Sequence, residues 1–502
     1  MQRLNLKPYP PILKFFHSLF LVLLVLLSPG IKAAPFESST SVIVIGAGIS
    51  GLSAAYHLKK AGYKAIILEM SPHIGGRIRT AYYPDKRHAE IGLAEFWEHN
   101  PTLEIFRALK VPLETSYTSF SSFIHDGKLY PFTQQNNLEF LKSVLTVSEL
   151  EAYQRWDQQV AELNRQLEVR PIDSKLLALK DISFSAWIKQ QSQLSPKTQA
   201  FIRIESEPEY AVSWDRISAL DGIAEWHIFS GKGETPYHVV GGNHRGALAI
   251  ANYLGKQSIH TNRMVTHVNS TDSGVEVVAT DMATYQQRRY RAKYVISTVP
   301  LFRLDDIQFS PPLNATIKEA IRTQTGGAYF SAHIELDAQA KQPWQRDGVS
   351  ELPILTDGVL GVIYEGKSPS HQNSLLNLLI TDAHAQRFNM RINSMDEIKK
   401  ELLAEFEKLW PGFSHYVKQM TFYRYHPRAI ASWPVGRSRF DPLSNELRKA
   451  HGRLYFAGDF TEGTHSDGAA KSALRTVKEI VTQLDNDKNA RAGHFYGPKS
   501  QQ

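Results

Sequence analysis

The stretch Ser41-Val-Ile-Val-Ile-Gly46-Ala-Gly48-Ile-Ser50-Gly51-Leu52 decides the fold. Ser41 to Ile45 is a short β-branched run of the kind that forms a strand buried on both faces. It runs directly into Gly46. From Leu52 to Ala61 the composition is helical, and Gly62 follows as a C-terminal glycine. Ala65 to Leu68 reads as a second buried strand that closes at Glu69, which completes one β-α-β unit. In the turn of this unit, Gly46 permits the sharp bend and Gly48 lets the backbone approach a pyrophosphate. Gly51 lets the helix pack closely on the sheet. A diphosphate would sit on the N–H groups that open the helix, with Ser50 among its contacts. Glu69 follows at close to the ~20-residue spacing of an acid that grips an adenosine ribose.

The residues downstream of the turn distinguish FAD from a nicotinamide cofactor. Gly75-Gly76-Arg77 lies shortly after Glu69. The glycine pair lets the backbone press against the ligand, and Arg77 offers a planar fork to a phosphate. No second Gly-x-Gly-x-x-Gly follows; Gly241-Gly-Asn-His-Arg-Gly246 has the wrong spacing. One dinucleotide site implies that the substrate itself supplies the electrons, and the cofactor expected is FAD.

Working outward, 502 residues exceed what one compact core organises, so at least two domains are expected. The opening segment has basic residues up to Lys14, an apolar run from Phe15 to Leu27 and small residues at Ala33 and Ala34. It reads as a secretory signal peptide over residues 1–34, with an uncleaved anchor as the alternative. That segment holds Arg3, Lys7, Lys14 and Lys32 and no acid, so its removal lowers the net charge from +7 to +3. A balance so small argues against a nucleic-acid partner. There is no cysteine, which excludes disulfides and any thioether link to a cofactor. No later stretch is long and apolar enough to span a bilayer. A secreted or periplasmic location is expected.

Short strands are expected at Met264 to Val268, from Gly274 and from Tyr294, with another at Arg453-Leu-Tyr-Phe-Ala-Gly458. A helix is expected from Gly468 to about Leu484. Residues 116–231 are helix-rich. Residues 311–439 mix strands (Tyr329 to Leu336, Leu375 to Ile380) with an amphipathic helix from Met395 to Leu409. The fold class expected is therefore α/β: a Rossmann-type FAD-binding domain of glutathione-reductase-like architecture with an inserted mixed α+β substrate domain. The cofactor domain takes residues 40–115, 232–310 and 440–484, the substrate domain 116–231 and 311–439, and 485–502 is a polar, frayed tail.

Together these motifs resemble the flavin-containing amine oxidase family, which includes monoamine, polyamine and L-amino-acid oxidases, over nearly the whole chain. Glu90-Ile-Gly92-Leu93-Ala looks like the segment that passes beside the flavin ring. Val240-Gly-Gly242 and Val265 resemble the second cofactor strand, where the valine backbone meets the adenine. Tyr294-Val-Ile-Ser-Thr-Val-Pro300 is similar to the return into the substrate domain. In Tyr455-Phe-Ala-Gly458-Asp459, the resemblance places Asp459 near the ribityl and phosphate groups. It places Gly468 and Ala469 at the start of a helix aimed at the flavin's pyrimidine edge, where a helix N-terminus stabilises the negative charge of reduction.

The resemblance also implies an aromatic pair around the substrate, at Trp433 and His465. His465 departs from the family's usual tyrosine, and as a base it could keep an amine neutral. A second departure is Ser331, which falls where many members carry a lysine below the flavin. The function implied is a secreted FAD-dependent oxidase. It removes a hydride from the carbon beside an amine nitrogen of a small amine or amino acid and passes electrons to molecular oxygen. Ser331 in place of lysine supports the alternative, an FAD-dependent dehydrogenase or desaturase of a non-amine substrate. Tyr210, Trp214 and Trp226 are expected among the residues lining the pocket.

Overall fold

The computed structural model describes residues 36–115, 121–132, 137–229, 235–337, 342–346, 348–367, 375–391, 393–423 and 428–495. The segment read as a signal peptide lies outside them.

The strand Phe36–Ile45 pairs in parallel with Ala65–Leu68 on one side and with Gln287–Ser297 on the other. Ile259–His260 extends this parallel array beyond Ala65–Leu68. The far edge of Gln287–Ser297 is shared. Its first half pairs antiparallel with Gly274–Asp281, and Val295 to Ser297 pair in parallel with Leu454–Phe456. Arg263–Thr271 and Gln308–Ser310 complete an eight-stranded sheet. Val42, Ile43, Val44 and Ile45 are all buried, as a strand covered on both faces must be. Each such side chain contributes roughly 1.5–3 kcal/mol of burial.

The helix Ile49–Lys60 packs on the long helix His465–Phe495 through small residues. Ser50, Gly51, Ala54 and Ala55 are buried on the first, and Ala469, Ser472, Ala473 and Thr476 on the second. The last helix differs from expectation at both ends: it starts at His465 and continues past Leu484 through residues expected to fray. Its polar continuation is tethered. Tyr63 donates to Asp485, Lys293 pairs with Asp487 at 3.3 Å, and Lys488 lies 4.0 Å over the Tyr63 ring.

A second sheet has seven strands, in the order Val417–Tyr423, Tyr329–Leu336, Leu375–Thr381, Val362–Glu365, Ile354–Thr356, Ser122–His125 and Lys128–Tyr130. The strand Tyr329–Leu336 is nearly wholly buried and lies between two antiparallel partners. Helices Val147–Leu167, Pro196–Tyr210 and Ala219–Phe229 pack beside this sheet around Trp156, Trp187 and Trp226. A capping box at Thr146 and Glu149 starts the first of them.

Candidate active site

The glycine turn keeps an open face. Gly46 has φ +104°, and a Cβ there would meet Thr298 Oγ1 at 2.6 Å. A Cβ on Gly51 would lie 2.0 Å from the Gly46 carbonyl oxygen, so the helix could not sit so close to the strand with any larger residue. At Gly48 a Cβ would meet nothing within 4 Å. The turn therefore has free space on the side a diphosphate needs, where the first-turn N–H groups are unpaired by the helix itself. Gly75 N–H donates to the Ala47 carbonyl at 2.8 Å, and a Cβ on Gly76 would lie 3.0 Å from Gly48 Cα. The glycine pair is thus folded directly onto the turn.

Glu69 takes the Ala47 N–H at 2.7 Å on one oxygen and the Ser71 N–H at 2.8 Å on the other. This fixes the carboxylate beside the cradle and leaves lone pairs for sugar hydroxyls. Arg263 N–H donates to the Glu69 carbonyl at 2.7 Å, which ties the strand carrying Val265 to the same place. These residues fit FAD. Two of them act differently from expectation. The Ser50 hydroxyl is buried 3.4 Å from Ser472 Oγ, so that side chain joins two helices instead of facing a phosphate. Arg77 is engaged by Asp459 in a two-pronged pair at 2.7 and 2.8 Å and donates to the Ala429 carbonyl at 2.5 Å. The fork expected on a phosphate neutralises a buried acid, whose carboxyl burial would raise but Arg77 and the Ala431 N–H hold low.

The segment from Glu90 to Ala94 is held almost atom by atom. Its Glu90 carbonyl accepts from His333 Nε2 at 3.0 Å, and its Ile91 carbonyl accepts from Ser331 Oγ at 3.0 Å. Asn243 Nδ2 donates to the carbonyls of Leu93 at 3.0 Å and Ala94 at 2.8 Å, and His238 Nδ1 lies 2.9 Å from the latter. The Tyr83 hydroxyl is 2.9 Å from His333 Nδ1, which fixes the ring. Burial lowers His238 and His333 to about 4, so both imidazoles are neutral at ordinary pH. The Glu90 carboxyl accepts from Thr80 Oγ1 and the Asn243 N–H, both at 2.8 Å. Gly92 and Leu93 sit between these anchors. Ser331 is therefore placed at the expected segment, as a hydrogen-bond donor to backbone.

The expected aromatic pair does not form. Trp433 is 1% exposed, inside the core with Ile45, Leu447 and Phe460. Its indole N–H donates to Ser444 Oγ at 3.1 Å, and the Arg439 guanidinium lies 5.2 Å from its ring. No face is left for a substrate. Tyr210, Trp214 and Trp226 are likewise core residues instead of pocket lining. The Tyr210 hydroxyl donates to Gly222 O, and Trp226 Nε1 to Asp157. His465 is different. It is half-buried, opens the long helix at φ +68°, and lies in electrostatic reach of Asp459. A left-handed non-glycine residue at that point is strained, and such strain clusters at functional positions. Gly468 falls in the first turn of this helix, where a Cβ would be 1.9 Å from Gly463 O, and Ala469 is buried beside it.

One feature went unread in the sequence. Glu95, Glu205 and Glu209 lie deep enough that desolvation raises them to about 7, about 7 and about 8, yet each keeps some accessible surface. The charges of Glu95 and Glu205 both bear on Glu209, and Tyr364 feels Glu90 and Glu95. The signal available was the four-residue spacing of Glu205 and Glu209, which puts two acids on one face of a helix that also buries Phe201, Ile202 and Ile204.

The model of the flavin containing amine oxidoreductases matches residues 49–481. The chain is 24% identical to polyamine oxidase 1 of Zea mays over 489 residues, covering 88% of this chain and 90% of that protein. It is 24% identical to the L-amino-acid oxidase of Sistrurus catenatus edwardsii, covering 89% and 87%. Among solved structures, a wild-type putrescine oxidase bound to putrescine superposes with a TM-score of 0.73 at 21% identity, covering 89% of this chain and all of that one. Cyclohexylamine oxidase from Brevibacterium oxydans gives 0.72 at 18% identity over 89% and 99%. With a cradle that fits FAD and a family match over most of its length, the chain belongs to the flavin-containing amine oxidoreductases and is an FAD-dependent enzyme.

Proposed function

We propose that the protein oxidises the carbon–nitrogen bond of an amine and delivers the electrons to oxygen. A neutral amine R–CH2–NH2 gives up a hydride from its carbon and a proton from its nitrogen to become an imine. Water converts the imine to aldehyde and ammonia, and oxygen takes two electrons and two protons to become hydrogen peroxide. When bound, FAD supplies the hydride acceptor. This chain's residues supply the rest. The segment from Glu90 to Ala94 is pinned at four carbonyls, so whatever it touches is held without reorganisation. His465 stands at the helix start, where it can take a proton from an ammonium.

The observation that carries the amine reading is the group of shielded acids Glu95, Glu205 and Glu209, in which the first two act on the charge of the third. It suits a cation and opposes a neutral, wholly apolar substrate. Ser331 favours a second reading, in which an acceptor other than oxygen reoxidises the flavin, because its hydroxyl is already committed to Ile91. The N-terminal segment read as a secretory signal supports an exported enzyme. The test is product stoichiometry across amines, diamines and amino acids. Aldehyde, ammonia and peroxide formed one for one support the proposal. Consumption of a non-amine with none of the amines consumed overturns it.

A further inference from the structure

We infer that the backbone N–H of Gly92 is a hydrogen-bond donor to the flavin ring, and that Ser331 strengthens this donor by holding the carbonyl at the other end of the same peptide. Ser331 thereby raises the flavin's reduction potential through Ile91, whichever substrate is oxidised.

The cradle sets where the ring goes. Glu69, fixed by the Ala47 and Ser71 N–H groups, marks the ribose end of the diphosphate, so the ring half of FAD leaves the turn on the other side. There Gly75 and Gly76 fold onto the turn and lead into Arg77. Residues 77–80 then run antiparallel beside 90–93. Thr80 pairs with Glu90, the Ile91 N–H donates to the Arg79 carbonyl at 2.8 Å, and the Leu93 N–H donates to the Arg77 carbonyl at 3.3 Å. Arg77 also holds Asp459, just ahead of the long helix that opens at His465. Gly92 therefore stands beside the exit of the cradle, half-buried and with no side chain to keep a ligand away.

The N–H of Gly92 is left over where its neighbours are paired. Ile91 and Leu93 both donate to backbone, and the carbonyls of Glu90, Ile91, Leu93 and Ala94 all accept from side chains. Among the described residues the Gly92 N–H meets no acceptor, although backbone donors in a folded chain are nearly always paired. Its direction is fixed. The N–H and C=O of a planar trans peptide point opposite ways, and the Ile91 carbonyl is turned to Ser331 Oγ at 3.0 Å, so the Gly92 N–H points away from that strand. Asn243, wholly buried and bonded to the next two carbonyls, keeps the peptide from turning over. A carbonyl that accepts a hydrogen bond makes the N–H of its own peptide a stronger donor, by about 10–30%. The flavin ring carries nitrogen and carbonyl acceptors along its edge. Its reduction adds two electrons and a proton and leaves one negative charge, which a fixed donor stabilises more than it stabilises the neutral oxidised ring. Ser331 is a positioning residue in this scheme, because it acts through a carbonyl.

The experiment measures the two-electron reduction potential of the holoenzyme, without substrate, by equilibration with a reference dye under nitrogen. Ser331→Ala removes the polarising donor and is expected to shift the equilibrium toward oxidised flavin by about two- to fivefold. At about 30 mV for each tenfold, the potential becomes about 9–21 mV more negative. Ser331→Thr keeps the hydroxyl and is expected to stay within about 1.5-fold of the parent. Ser331→Cys keeps the shape with a weaker donor and is expected to fall between the two; it decides the matter if Ser331→Ala does not retain FAD. A potential that stays at the parent value in Ser331→Ala while flavin reduction slows assigns Ser331 to position alone and overturns the inference. A shift to more positive values overturns it too, as does a shift that Ser331→Thr shows equally.

Discussion

The Ser331 hydroxyl donates to the Ile91 carbonyl at 3.0 Å, and two residues along the same strand His333 donates to the Glu90 carbonyl at the same distance. One strand of the second sheet thereby fixes the height of the segment that the family resemblance puts beside the flavin. The second sheet and this segment are registered to each other by side chain to backbone bonds, which a shift of one residue would break.

Ser331→Ala removes one of these bonds. Net losses of this kind are about 0.5–1.5 kcal/mol, so the rate of flavin reduction is expected to fall by roughly two- to twelvefold. Substrate affinity should change little, because Ser331 acts through Ile91. Ser331→Thr keeps the hydroxyl and should recover most of the rate. Stopped-flow reduction measures both; a loss carried entirely by affinity would contradict the positioning role.

Gly48 and Gly51 separate cofactor binding from folding. A side chain at Gly48 meets no protein atom within 4 Å, whereas one at Gly51 would collide with the Gly46 backbone at 2.0 Å. Gly48→Val should leave the thermal stability of the apoprotein nearly unchanged and weaken FAD binding by about a hundredfold or more, as it fills the diphosphate's place. Gly51→Val should instead lower stability by several kcal/mol. Flavin content and melting of stripped protein distinguish the two.

Trp433→Phe tests the reassignment of that indole to the core. The variant removes one of two donors to Ser444 Oγ, the other being Arg437, and loses packing, at an expected cost of about 1–3 kcal/mol in stability. The KM for any amine should stay within about threefold, since the ring touches no substrate. A large rise in KM with unchanged melting would restore the aromatic-pair reading.

The interior acids make stability depend on pH. Glu90, Glu95, Glu205 and Glu209 hold protons to about 7, 7, 7 and 8 when folded, against an ordinary 4.5. The folded state therefore binds more protons than the unfolded one above 4.5, and stability falls as pH rises through that range. His238 and His333, lowered to about 4, act in the opposite sense but finish by their ordinary 6.5. Between about pH 6.5 and 9 the melting temperature of the ligand-free protein should drop by several degrees, and Glu205→Gln should flatten the drop. A melting temperature that climbs over this window would contradict the burial of these acids.

The parts legible in sequence were those with strong local signals. Val42 to Ile45 carries its own strand pattern, and the period of Met395–Leu409 gives its helix to the residue. The cradle glycines were readable from their spacing: Gly46 and Gly51 are required by contacts that no side chain permits, and Gly48 leaves the face of the turn open. What a side chain faces was not readable. Whether Trp433 turns toward the cofactor or into the core depends on Ser444 and Phe460, brought there by other elements. Arg77 was assigned to a phosphate because its partner, Asp459, is 382 residues away. The continuation of the last helix was hidden for the same reason: its polar residues are held by Tyr63 and Lys293, which no local pattern connects to them.

The most direct measurement is the visible spectrum of the purified protein while diamines and monoamines are added under nitrogen. The account predicts a yellow protein whose oxidised-flavin bands vanish on adding an amine and return, with peroxide, when air is admitted. A colourless protein that takes up no FAD, or a yellow one that no amine bleaches, would contradict it.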